Sequence, residues 1–155
     1  MDQISVPRIE VATKHVKVQD LSGKALDWAV AKALGCELVS SHDWFRRIVK
    51  ETWSEEKIAG QLAKMNNEQV IVHRLNGNYE PIPAFSRSWA VGGPLLDRWR
   101  ISINYDASGR WSQGWRAFSV TTPTMLGETG LIAAMRSYVA SKLGEVIEVP
   151  ACLLV

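Results

Sequence analysis

The chain has 155 residues, 46% of them hydrophobic, with 18 Lys and Arg against 16 Asp and Glu for a formal charge of +2. A chain of this size can bury a core without a disulfide or metal, and its near balance of charge removes the electrostatic case for a strongly basic nucleic-acid or membrane-surface protein. Two cysteines, Cys36 and Cys152, exclude a disulfide framework and a cysteine-rich metal module and fit a reducing compartment.

Residues 1–20 carry short alternations around Val6 to Val11 and Val16 to Val18, and read as an N-terminal arm or a late-pairing edge strand. They hold no apolar stretch long enough for a signal-peptide core, and no apolar run reaches the roughly 18 residues of a membrane span, so a cytoplasmic protein is expected. The alanine-rich run Leu21 to Leu34 predicts a helix, with Ser22 as N-cap and Gly35 as its left-handed stop. Residues 41–50 predict a short helix with Trp44, Phe45, Ile48 and Val49 on one side and Asp43 placed to pair with Arg47. A capping box of Thr52 and Glu55 then opens a second helix through Ile58, Leu62 and Met65. This pair is read as a helical insertion covering residues 36–75.

Val70-Ile71-Val72 predicts a strand, Asn76-Gly77-Asn78 a turn, and Pro81 and Pro83 keep the next stretch extended and outside any central ladder. Alternation from Leu95 to Tyr105 puts Asp97, Trp99, Ile101, Ile103 and Tyr105 on one face and Leu96, Arg98, Arg100, Ser102 and Asn104 on the other, predicting a long strand. The turn Asp106 to Gly109 would return the chain antiparallel through Trp111 to Val120. A last helix is predicted from Thr129 to Leu143, stopped by Gly144, followed by a strand at Val146 to Val149. The fold class is therefore α+β: a central antiparallel hairpin with helices packed on it, one compact domain over residues 21–155.

The three histidines, His15, His42 and His73, lie in unrelated segments without ligand spacing, so no metal is expected. No nucleophile elbow, Walker loop or dinucleotide fingerprint is present, which points away from an enzyme and leaves no cofactor to expect. Tryptophan is the informative excess: Trp89, Trp99, Trp111 and Trp115 fall among Arg87, Arg98, Arg100, Arg110 and Arg116. Indole faces stack on flat ligands while guanidinium groups pair with phosphate, although the same residues can build a core and a solvated face. Gly92-Gly93-Pro94 permits positive φ and close approach of a ligand or another chain, or makes a tight turn. The loop Thr121-Thr122-Pro123-Thr124 runs through Gly127 and Gly130 into a helix start that can receive an anion or be conventionally capped. The candidate ligand-binding residues are thus Trp89, Gly92, Gly93, Arg98, Arg100, Thr121, Thr122 and Thr124, joined by Arg136 on the last helix.

Three blocks of sequence resemble a known family: Leu21-Ser22-Gly23-x-Ala25-Leu26-Asp27-Trp28-Ala29-Val30-Ala31-Lys32, Ser88-Trp89-Ala90-x-Gly92-Gly93-Pro94-Leu95-Leu96-Asp97, and the run from Thr129 to Gly144. In order and spacing they resemble the NinX-like family of small phage proteins. The first twenty residues and residues 36–75 extend beyond the usual pattern. The resemblance implies a phage or prophage origin and expression in the cytoplasm of the bacterial host; it implies no reaction and no catalytic residues. The leading expectation is a non-enzymatic phage accessory protein that binds or sequesters a small anionic, nucleotide-like ligand, such as a host defence signal. A module that modulates a host enzyme through Trp44, Phe45 and Trp53 is the alternative, and nucleic-acid binding a weaker one. The small residues Ala133, Ser137 and Ser141 and the apolar carboxyl terminus are compatible with a homo-oligomer.

Overall fold

The computed structural model describes residues 12–73, 76–110 and 114–154, so the alternation expected from Val6 to Val11 and the return residue Trp111 lie outside the described residues. In chain order the elements are β1 (Thr13–Lys17), α1 (Gly23–Ala33), β2 (Glu37–Ser40), α2 (Ser41–Val49), α3 (Glu55–Leu62), β3 (Gln69–Val72), β4 (Tyr79–Pro81), α4 (Trp89–Trp99), β5 (Ser102–Tyr105), β6 (Trp115–Phe118), β7 (Met125–Gly127), α5 (Gly130–Leu143) and β8 (Val146–Pro150). Short 3-10 turns at Val18–Asp20 and Ala151–Leu153 follow β1 and β8. The strands form three small antiparallel sheets, β1 with β8, β2-β3-β4, and β5-β6-β7.

The α+β class expected from the sequence holds, and α5 is the element around which it is built. Ala133, Ala134, Met135, Ser137 and Val139 are wholly inaccessible, and α5 packs against α1, α4 and all three strands of the β5-β6-β7 sheet. A helix whose apolar and small residues run around nearly its whole circumference can be stable only when covered on all sides. Its alanines bring α1, itself rich in Ala25, Ala29 and Ala31, close against it, and Leu21, Leu26, Val30 and Leu131 fill the space between. The helix opens on Thr129, whose Oγ1 accepts the Ile132 N–H at 3.1 Å.

The hairpin forms, but shorter than the alternation predicts. Residues 89–99 are helical, and only Ser102–Tyr105 is strand. Gly92, Leu95, Leu96 and Trp99 also fit the i, i+3, i+4, i+7 spacing of a helix face, and that period wins because the face packs against α5. Arg100 ends α4 in the left-handed region at φ 54°. Neither Gly92 nor Gly93 takes a positive φ. Gly92 is required for a different reason: a Cβ there would stand 2.1 Å from the Phe85 carbonyl oxygen and 2.9 Å from Leu131 Cδ1. Gly93 precedes Pro94, where a residue carrying a Cβ is pushed out of the helical region.

Residues 37–81 contribute the β2-β3-β4 sheet and, through α2 and α3, a second small core of Val49, Ile58 and Leu62 flanked by Phe45, Trp53 and Met65. Two expected local pairings are replaced. Ser54, not Thr52, caps α3 by accepting the Lys57 N–H at 3.3 Å, while the Thr52 hydroxyl donates to the Val49 carbonyl. Arg47 reaches Glu37 at 3.0 Å on the neighbouring strand instead of Asp43. Ser22 stands at the N-cap of α1 without accepting a cap hydrogen bond.

Two polar tethers join distant parts of the chain. Asp27, 2% exposed, accepts from the Ser86 N–H at 2.8 Å and the Ser86 hydroxyl at 2.6 Å through Oδ1, and from Arg87 at 3.1 and 3.3 Å through Oδ2. The Gln19 side chain lies along β7, donating to the Leu126 carbonyl at 2.8 Å and accepting the Leu126 N–H at 2.9 Å.

Candidate functional site

Between the last turn of α4, the loop before β7 and the C-terminal half of α5 lies a cleft of about 270 Å³ lined by Arg98, Trp99, Thr121, Thr122, Tyr138, Ser141 and Lys142. Its position follows from local structure. Arg98 and Trp99 are adjacent at the end of α4, and Tyr138, Ser141 and Lys142 share one side of α5 at helical spacing. The Trp99 and Tyr138 rings stack with centroids 3.2 Å apart and planes 5° from parallel. The Tyr138 hydroxyl is directed to the Ala33 carbonyl at 3.5 Å.

The loop is tied to α5 at the inaccessible Ser137, whose hydroxyl is hydrogen-bonded to Thr122 Oγ1 at 2.8 Å and to the Pro123 carbonyl at 2.6 Å. Thr121 is held one step earlier, its N–H donating to the Ser119 hydroxyl at 3.2 Å. The lining therefore offers two cations, the hydroxyls of Thr121, Thr122, Ser141 and Tyr138, and two aromatic rings, with no carboxylate; the Ser141 hydroxyl donates to the Tyr138 carbonyl at 2.6 Å. Burial raises the Tyr138 phenol above its ordinary pKa, and the nearby Arg98 charge works weakly in the opposite direction. Lys142 also sits in the final turn of α5, where its charge offsets the partial negative charge of the helix end that an anion would otherwise meet.

Of the residues singled out by sequence, Arg98, Thr121 and Thr122 come together here. Trp89 is 54% exposed at the opposite end of α4, nine residues and about 14 Å along the helix from Arg98. Arg100 lies beyond the helix stop and Thr124 beyond Pro123, and neither lines the cleft. Gly92 is a packing residue, as are Gly127 and Gly130, where added Cβ atoms would meet Ala133 N at 2.5 Å and Ile103 Cδ1 at 2.8 Å. Arg136 is 5% exposed and donates to the Leu21 carbonyl at 2.8 Å and the Leu126 carbonyl at 2.7 Å. Desolvation lowers its pKa, and the charges of Glu128 and Asp20 partly counter that, so its guanidinium acts as an internal strut.

The cleft thus lies beside the end of α5, while the capped start of that helix is closed by packing. Tyr138, Ser141 and Lys142 line the same cleft without having been singled out, because Tyr138 reads as core and Ser141 as part of a small-residue stripe. The available signal was Lys142 next to Ser141, one turn beyond Tyr138 on a mostly apolar helix.

Among the described residues no group of three or more His, Cys, Asp and Glu is placed to hold a metal ion, and no helix is long and apolar enough to cross a membrane. The three blocks noted in the sequence meet in space: Asp27 of the first is bonded to Ser86 and Arg87 just ahead of the second, and the second, as α4, packs on the third, α5. No curated protein matches the chain. The family model described as Bacteriophage P22, NinX matches residues 17–142, which take in the first two blocks whole and the third as far as Lys142, and the chain belongs to that phage family.

Proposed function

We propose that this phage protein binds a small anionic, nucleotide-like ligand in the Arg98–Lys142 cleft and acts by sequestering it. The observation that carries this reading is the convergence of Arg98, Lys142 and the hydroxyls of Thr121, Thr122 and Ser141 around a stacked Trp99–Tyr138 pair, with no acid in the lining. Arg98 and Lys142 can share the oxygens of one phosphate, with the Thr121 hydroxyl beside them, and an aromatic wall suits a flat base. A volume of about 270 Å³ lies at the small end of ligand pockets and suits a mononucleotide better than a larger molecule. A nucleotide signal of host defence belongs to this class of size and charge.

Calorimetry against inorganic phosphate and a panel of linear and cyclic mononucleotides tests the reading. Binding should quench tryptophan fluorescence, and Arg98→Ala and Lys142→Ala should each weaken it about tenfold, close to 1.4 kcal/mol. Absence of binding across the panel, or binding that both variants retain, refutes it.

The alternative, a host protein held by the α2–α3 segment, draws less support. Trp44 packs on Tyr79 and donates to the Gly77 carbonyl at 2.8 Å, and Phe45 and Trp53 meet edge to face inside the small second core. These aromatics have partners within the chain, whereas interface anchors present their bulk outward.

A further inference from the structure

A second cavity, of about 330 Å³, shares no lining residue with the proposed anion cleft; Lys24, Asp27, Glu68, Ile82, Arg87 and Leu153 are among the residues that line it. At its wall is an oriented cation. The buried Asp27 carboxylate grips Nε and Nη2 of Arg87, leaving Nη1 without a hydrogen-bond partner among the described residues, on a side chain that is 54% exposed. An arginine fixed along one edge of its planar fork offers the other edge to an anionic group with little further loss of side-chain freedom.

Lys24 and Glu68 face the same cavity with opposite charges, yet neither forms an ion pair with the other or with any described side chain. Two opposite charges that share one concavity without meeting are complementary to a molecule that carries both charges itself. Ile82 and Leu153 add an apolar surface. A simple anion would be drawn to Lys24 and Arg87 but repelled by Glu68, and a simple cation would meet the reverse.

The geometry points to a second ligand site here for a compact zwitterion of the amino-acid or dipeptide class. Its carboxylate pairs with Arg87 and Lys24, its ammonium with Glu68, and an aliphatic side chain lies against Ile82 and Leu153. Nothing in this assignment depends on the ligand of the Arg98–Lys142 cleft.

The test uses the full chain, labelled with ¹⁵N, titrated with leucine and glycyl-leucine and then with N-acetyl-glycyl-leucine and glycyl-leucinamide. Saturable shifts are expected at the amides of Lys24, Glu68 and Arg87 with at least one of the two zwitterions. Lys24→Gln and Glu68→Gln, both at exposed positions, should each weaken binding at least tenfold. Acetylation of the amine should cause a similar loss on the unmodified protein and no further loss on Glu68→Gln. The site is refuted if neither zwitterion gives saturable shifts at those amides, or if the blocked analogues bind as well as the parent.

Discussion

Replacing Gly92 with alanine sets two effects of opposite sign against each other. In a helix interior alanine is favoured over glycine by roughly 0.5–1 kcal/mol, so propensity alone predicts a more stable protein. Against this, the new Cβ would lie 2.1 Å from the Phe85 carbonyl oxygen and 2.9 Å from Leu131 Cδ1. Leucine can rotate, but a backbone carbonyl yields only if its whole segment moves. Overpacking of this kind costs roughly 1–3 kcal/mol, and contact with backbone belongs at the upper end. The net expectation is a loss of about 2 kcal/mol, or about 4–8 °C in Tm for a chain of this size. Gly60 in α3 is the control, because a Cβ there meets nothing within 4 Å, and Gly60→Ala should gain about 0.5–1 kcal/mol. Urea unfolding followed by circular dichroism measures both variants. Opposite signs support close packing of α4 on Phe85 as the reason for Gly92; a Gly92→Ala protein as stable as its parent refutes it. If that variant kept its stability and lost a ligand, Gly92 would belong to a binding surface after all.

Asp27→Ala leaves the Ser86 N–H and hydroxyl buried without their acceptor and should destabilise by about 2–4 kcal/mol in urea, and Arg87→Ala, which leaves the buried Asp27 carboxylate without its ion-pair partner, should cost about 1–3 kcal/mol. Arg136→Met should lose about 1–3 kcal/mol, since the Leu21 carbonyl loses its guanidinium donor while the Leu126 carbonyl keeps Gln19; unchanged affinity for any anion bound in the cleft would separate a strut from a ligand residue. Because the folded state raises the Tyr138 pKa, folding retains a proton that the unfolded chain releases near pH 10; the associated stability is complete below that pH and is lost as pH rises toward the folded value. Tyr138→Phe should flatten the alkaline slope of unfolding free energy, and Arg98→Ala should move the phenolate absorbance transition to higher pH by removing a charge that favours ionisation.

Helices α1 and α5 were legible because their signals agree: alanine content, apolar spacing and glycine stops all specify them. The stretch from Gly92 to Trp99 was ambiguous in itself. Its apolar residues satisfy both a two-residue and a helical period, and Gly92-Gly93-Pro94 argues locally against a helix. Packing against α5, which no local pattern contains, decides it. β2 and β7 were missed because strands of four and three residues carry too little periodicity to register. Of the residues chosen by type, Arg98, Thr121 and Thr122 line one cleft, yet type alone could not separate Arg98 in the lining from Arg136 in the interior. That distinction depends on which carbonyls lie within reach, and those come from Leu21 and Leu126, far apart in sequence.

The amide of Gln19 has a consequence for how these molecules behave when crowded. β7 lies at the rim of its sheet, and an unpaired rim normally invites a strand from a neighbouring molecule. In a ladder of three residues only the middle one turns its backbone groups outward, and here both outward groups of Leu126 are already matched by a side chain. One glutamine thus does the work of an extra strand, leaving that rim no template on which fibrous stacking could begin.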